Sequence, residues 1–246
     1  MVTLPVAERP LNVGEMVVAD YRKAEVFRKY GIDYCCGGKK PLEEVCRQKG
    51  IDLQNVQNDL NALDQKPDDA GQNFDIWELD ALAAHIVEKH HNYVSESVPM
   101  LYELGAKVAR VHGERHPELI EIANLFRAVG QELQMHMHKE ELMLFPQIAK
   151  MAASRRNGTS ITRPFFGSVE NPIHMMESEH ESSGNDMEEI RRLSHDFTPP
   201  MDACTSYCVL YAKLQEFEQD LHQHVHLENN ILFPKSITLE KEFFPA

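Results

Sequence analysis

The sequence predicts an all-α protein, an up-down-up-down four-helix bundle preceded by a small helical domain. Three observations predict it. Apolar residues step by alternate threes and fours through four long stretches, the period of helices with one buried face. A histidine-glutamate pattern occurs twice, each time at nearly the same offset from a lone histidine. The 246 residues also leave room for a bundle of about 170 residues plus a short module, within the usual domain range.

The expected organisation is a small domain over residues 1–66, a linker over 67–74 and the bundle over 75–246. In the small domain a helix over about 13–30 stops at Gly31, a residue suited to a left-handed cap. Asp33-Tyr-Cys-Cys-Gly-Gly38 follows as a loop, and 41–49 and 53–63 read as two further short helices. Residues 65–73 are polar, contain Pro and Gly and lack an apolar period, which marks the linker. The first bundle helix is expected over 75–112. The second starts near Pro117, a residue suited to a first helical turn, and ends near 151. The third is expected over 171–194, and the fourth begins near Asp202. Pro199 and Pro200 require 195–201 to be extended or the third helix to run on.

The repeat carries the chemistry. His136-Met-His-Lys-Glu140-Glu-Leu-Met-Leu-Phe-Pro146 returns as His224-Val-His-Leu-Glu228-Asn-Asn-Ile-Leu-Phe-Pro234, identical at six of eleven positions. A His and a Glu four residues apart project from one helix face, so each copy offers a nitrogen and a carboxylate to one point. Such pairs also occur by chance on solvated faces, but the apolar stripe points these inward. Leu119, Ile122, Phe126, Val129 and Leu133 step into His136, Glu140 and Leu144; Tyr207, Leu210, Leu214, Phe217 and Leu221 step into His224, Glu228 and Ile231. A buried, unpartnered carboxylate costs several kcal/mol, so two inward pairs need a compensating cation.

The same step finds two more ligands. Ala84, Val87, Val94, Val98 and Leu101 define a stripe containing His91, with His90 facing out. Met176, Ser183, Met187 and Ile190 enclose His180. His91 precedes His136 by 45 residues and His180 precedes His224 by 44, so each half supplies a lone histidine and a His-x-x-x-Glu helix. His112 shares the first stripe but lies 21 residues on, about 32 Å along a helix, at the other end of the bundle. His85, His116, His138, His174, His195, His222 and His226 read as surface residues or supports for the ligands.

Composition excludes other classes. A net charge of −14 disfavours a nucleic-acid backbone as partner. No apolar run reaches the length of a membrane span, and the first residues lack a cationic stretch followed by an apolar one. A soluble, cytoplasmic protein is expected. Five cysteines, an odd number, argue for reduced thiols. Cys35 and Cys36 are expected to form an accessible thiol pair whose pKa is lowered by a following helix N-terminus with Lys39 and Lys40 near by. Cys46, Cys204 and Cys208 read as small buried residues.

Phe27-Arg-Lys-Tyr-Gly-Ile-Asp-Tyr-Cys-Cys-Gly-Gly38, Met176-Glu-Ser-Glu-His180 and the two copies ending in Leu-Phe-Pro resemble the di-iron iron-sulfur cluster repair proteins, or repair-of-iron-centres proteins, over residues 11–234. The resemblance implies a hemerythrin-like bundle holding two non-haem irons with an oxo or hydroxo bridge. Its ligands, carried over by position, are His91, His136, Glu140, His180, His224 and Glu228, the set the stripes give. It also implies repair of clusters damaged by nitric oxide or oxidants, by iron donation or by nitric oxide reductase activity. The implied partners are damaged iron-sulfur proteins, nitric oxide or dioxygen, and an electron donor of unspecified identity; a homodimer stays open. If both glutamates bridge, each iron receives two nitrogens and two carboxylate oxygens, and the solvent bridge leaves an octahedral ion one open position. A reversible dioxygen or nitric oxide binding or sensing protein is the alternative, and a purely structural metal is a third.

Overall fold

A computed structural model describes residues 11–64 and 73–245, and the chain forms two compact units, Met1–Ile76 and Trp77–Ala246. Residues 65–72, most of the expected linker, lie outside the described residues.

The first unit holds α1 (Val13–Ala19), α2 (Lys23–Lys29), α3 (Leu42–Lys49) and α4 (Leu53–Asp64). The single helix expected over 13–30 is two. The Asn12 side chain accepts from the Glu15 amide at 2.8 Å while Glu15 reaches back to the Asn12 amide at 2.9 Å, so α1 starts with a capping box. It stops at Asp20, whose backbone is extended and whose carboxylate accepts from the Arg22 amide at 3.0 Å and from its guanidinium at 2.8 Å. That local side-chain bond competes with the helix and wins. Gly31 takes φ 62°, as its place after α2 requires. Val13, Val17, Phe27, Val45 and Val56 form the small core.

The second unit is built of four rods. The first is α5 (Leu79–Ile86), a π turn over Val87–His91, and α6 (Asn92–His112). The second is α7 (Glu118–Lys139), a π turn over Glu140–Leu144, and α8 (Phe145–Asn157). The third is α9 (Glu170–Leu193); the fourth is α10 (Thr205–Leu227), a π turn over Glu228–Leu232, and α11 (Phe233–Phe243). α6 packs on α7, α7 on α9, α9 on α10 and α10 on α6, closing a ring. Contacts at the ends fix the directions. His112, at the end of the first rod, touches Cys204 at the start of the fourth at 3.1 Å. Glu240, near the end of the fourth, accepts from the Val169 amide at the start of the third at 3.0 Å. Alternate rods therefore run up and down.

The π turns correct the first stripe. Each fits one extra residue into a turn and shifts the inward face by one position. Upstream of the first, Leu79, Leu82, Ala83 and Ile86 are buried, while Ala84 is exposed and Val87 half-buried. Downstream, Val94, Val98 and Leu101 face in as expected. At the crossover both His90 and His91 are buried, so His90 does not face out. The other two π turns lie directly before Phe-Pro. Proline has no amide to donate and its ring displaces the carbonyl four residues back, so a widened turn is the accommodation there.

The junction between α9 and α10 takes neither form expected of it. α9 ends at Leu193, and His195, Asp196 and Phe197 turn left-handed at φ 50°, 58° and 54°. Such backbone is costly for non-glycine residues and persists only where neighbours impose it. Here Phe197 is buried under the Arg191 guanidinium, 5.0 Å from the ring centroid, and Arg191 also binds Asp196 and the buried Glu218.

Candidate metal centre

Six side chains from the four rods converge in the bundle interior. His91 closes the first π turn, His136 and Glu140 flank the start of the second, His180 lies within α9, and His224 and Glu228 repeat the His136–Glu140 arrangement. None is more than 2% exposed. His136 Nε2 lies 3.4 Å from Glu140 Oε2, as does His91 Nε2; Glu228 Oε1 is 3.1 Å from His224 Nε2, and its Oε2 is 3.1 Å from His180 Nε2. Two groups result, His91–Glu140–His224–Glu228 and His136–Glu140–His180–Glu228, and within each the ligand atoms all lie within 4.8 Å of one another. Both glutamates belong to both groups.

These residues fit a pair of cations. Both oxygens of Glu140, Oε2 of Glu228 and Nε2 of His91 are buried and make no hydrogen bond among the described residues. Nature rarely leaves buried carboxylate oxygens so, because the loss of water then goes uncompensated. Imidazole and carboxylate together suit iron, manganese or zinc rather than calcium or magnesium. Protons hold the charges in balance in the metal-free protein. Burial alone would lower His91 and His136, yet Glu140 with Glu228 raises His91 to about 10, and Glu140 with Glu179 raises His136 to about 10. For His224 burial wins and the shift is downward. Burial pushes Glu140 and Glu228 up, and their histidine neighbours more than reverse it, so both stay ionised.

Around the six lies a ring of supports that sequence periodicity missed. His91 Nδ1 is 2.8 Å from Glu141 Oε1, His136 Nδ1 is 2.8 Å from Glu179 Oε2, and His180 Nδ1 is 2.9 Å from Asn229 Oδ1. A hydrogen bond on the far nitrogen fixes the tautomer and aims Nε2 at the centre. Glu179 is itself tied to Lys139; its hydrogen bond from His136 leads the effects that hold its pKa down at about 2. The signal was available in the chain order: Glu141 and Asn229 each follow a ligand glutamate, and Glu179 directly precedes a ligand histidine. The phenylalanines of the two Leu-Phe-Pro endings play matching parts. Phe145 stacks on His91 at 5.7 Å and Phe233 on His180 at 6.1 Å.

Two other histidines lie in the interior, His90 against its expected outward facing and His226 among those read as surface residues or supports. His90 hydrogen-bonds Asp220 through Nδ1 at 2.9 Å and stacks on His224, and His226 is 1% exposed beside Asn230. His138, His174 and His195 are exposed, and His112 sits buried at the far end beside Tyr207.

The cysteine expectations are revised more deeply. The Asp33 carboxylate accepts from the amides of Cys35, Cys36 and Gly37 at 2.9, 3.0 and 2.7 Å, and the Cys35 thiol donates to it at 3.1 Å. The loop winds around that carboxylate, and Gly38 passes so close to the Tyr34 carbonyl that a Cβ would lie 2.4 Å from it. Cys35 is buried rather than accessible, and Cys36 is half-buried, with the two sulfurs 3.9 Å apart. The hydrogen bond with Cys36, burial and the Asp33 charge push the Cys35 thiol well up, opposite to the expected lowering. The next helix along the chain, α3, starts only at Leu42. Cys204 and Cys208 are exposed, not buried; Cys204 stands just before α10 and its side chain makes no capping hydrogen bond. Cys46 is buried as expected.

Among the described residues no helix is long and apolar enough to cross a membrane. The hemerythrin HHE cation binding domain family matches residues 82–236, and the ScdA_N family, a domain of unknown function, matches residues 11–64. The chain is 33% identical over 229 residues to the iron-sulfur cluster repair protein YtfE of Yersinia pestis (strain Pestoides F), covering 93% of this chain and 97% of that one. It is 35% identical over 234 residues to the protein of the same name from Enterobacter sp. (strain 638), covering 95% and 100%. The corresponding protein of Pectobacterium carotovorum subsp. carotovorum (strain PC1) is 34% identical over 234 residues, covering 94% and 98%.

Proposed function

The chain belongs to the iron-sulfur cluster repair proteins, with a hemerythrin HHE cation binding domain as its larger part, and on that premise we propose that it repairs iron-sulfur clusters damaged by nitric oxide or oxidative stress. The observation that carries this reading is the pair of buried four-residue groups sharing Glu140 and Glu228. His91 and His224 would hold one iron, His136 and His180 the other, and the two glutamates both. Bound there, the pair supplies exchangeable iron and redox chemistry toward a diatomic ligand. The chain's own residues orient the imidazoles through Glu141, Glu179 and Asn229, and wall the site with Phe145 and Phe233.

The N-terminal unit's share in this reading is transient thiol work: docking, electron entry or capture of iron. Its half-buried Cys36 is the more reachable sulfur of the loop. The setting is the cytoplasm, the clients are damaged iron-sulfur proteins, and a separate donor supplies electrons. The test adds the anaerobic diferrous protein to an apo iron-sulfur protein, with and without nitric oxide, and follows cluster reassembly and nitrous oxide together. Reassembly without nitric oxide supports donation, and nitrous oxide formation supports reduction. A stable nitrosyl adduct with neither product would replace repair by reversible binding.

A further inference from the structure

We infer that the two metal positions are unequal, and that the ion held by His91 and His224 is the one the protein gives up first. The inference rests on the two-ion reading above and comes from a break in the internal repeat. His91 corresponds to His180, His136 to His224 and Glu140 to Glu228. The supports follow the same correspondence: Glu141 holds His91 and its counterpart Asn229 holds His180. Glu179, directly before His180, holds His136. Its counterpart, directly before His91, is His90.

His90 does not do what Glu179 does. Its Nδ1 is committed to Asp220 at 2.9 Å, and its ring lies parallel to that of His224, centroids 5.5 Å apart and planes 5° from parallel. A stacked ring presents its face, not an acceptor lone pair. His224 Nδ1 is accordingly buried with no hydrogen-bond partner among the described residues, and so is His90 Nε2. When His224 ligates through Nε2 its proton must sit on Nδ1. Three of the four ligand imidazoles are therefore held from behind and His224 is not. Removing such a support costs metal sites typically 10–100-fold in affinity, which sets the expected gap between the two ions.

The full-length protein loaded with ferrous iron is mixed anaerobically with an excess of a coloured ferrous chelator. Two irons should leave in two phases of equal amplitude, with rates roughly 10–100-fold apart. His90→Gln keeps an amide donor for Asp220 and offers a carbonyl to His224, so it should slow the fast phase toward the slow one. Glu179→Leu should speed the slow phase toward the fast one, and it tests the assignment independently if His90→Gln misfolds. Mössbauer spectra give a readout that a general loosening of the bundle would not mimic: two doublets of equal area in the parent, drawing together in His90→Gln. Two irons leaving in one phase, or a fast phase unmoved by His90→Gln in a folded protein, would overturn the inference while leaving two bound ions. Fewer than two irons in the parent would overturn the two-ion reading itself and this inference with it.

Discussion

The bundle and the N-terminal unit each bring three or more ligand-type side chains together, and they do so under opposite conditions. In the bundle, Glu140 and Glu228 are completely buried and three of their four oxygens have no hydrogen-bond partner among the described residues. In the loop, the Asp33 carboxylate stands at an exposed residue and accepts three backbone amides and a thiol. A close group of Asp and Cys there satisfies itself. The difference teaches that proximity of ligand-type residues argues for a resident cation only where their charges have no other answer.

The largest test of that contrast removes a shared carboxylate. Glu140→Leu or Glu228→Leu should cost both ions, not one, because each glutamate belongs to both groups. His136→Leu and His224→Leu should lose metal, whereas His138→Leu, at an exposed residue, should not. His226, being buried, is not a clean control. A ligand present at 1,000 times its Kd adds about 4 kcal/mol to stability, so the glutamate variants should melt like the metal-free parent. Metal analysis with thermal melts checks this, and a coupled di-iron signature retained in either variant would defeat the shared role.

What the sequence made legible follows from what has a period. The rods, the inward face of His136, Glu140, His224 and Glu228, and the enclosure of His180 all rest on a step of three or four residues that burial enforces. A π turn has no such signature within its own window; it appears only as a slip in phase, which is why Ala84 and Val87 were placed inward and His90 outward. The Phe-Pro that ends each copy was the available warning for two of the three turns. The supports escaped because a hydrogen bond from behind a ligand needs adjacency, not period. The break at Asp20 escaped for a related reason, since a side chain that engages the backbone at a helix end obeys local geometry.

The next effect is protonic. His91 and His136 are raised to about 10 in the metal-free protein, so at pH 7.5 both are charged, and a ligand imidazole must be neutral. Loading should then release about two protons, and apparent metal affinity should climb from pH 7 toward 10. Stability of the metal-free bundle has the opposite sign. The contribution of these raised groups is fully present below their unfolded value near 6.5 and is lost as pH rises through about 10. Calorimetric loading in buffers of different ionisation enthalpy counts the protons, and a buffer-independent heat would sink the argument.

Changes in the thiol loop should leave all of this untouched. Full-length Cys35→Ala/Cys36→Ala is expected to keep two irons and lose much of its repair activity, since soft sulfur has no place in a resting nitrogen and oxygen site. A chain beginning at Asn73 should likewise fold and bind two irons. Loss of the di-iron spectrum in the double variant, or full repair by the shortened chain, would show the labour to be divided otherwise.

The smallest expected effect probes the other half of the comparison. If the loop is held by its own hydrogen bonds and not by a cation, Asp33→Ala removes the acceptor of three amides and of the Cys35 thiol at once. The amides near the surface can turn to water, so the loss should be modest, about 1–2 kcal/mol confined to the first unit. The sharper consequence is kinetic. Cys35 is buried and its thiol is pushed up partly by the Asp33 charge; a loosened loop without that charge should expose it and ease its ionisation. Alkylation of Cys35, read peptide by peptide in the mass spectrometer, should quicken in Asp33→Ala while iron content stays at the parent value. Unchanged alkylation would mean that the loop holds its shape without Asp33, and a fall in iron content would mean that the two regions are not as separate as their chemistry argues.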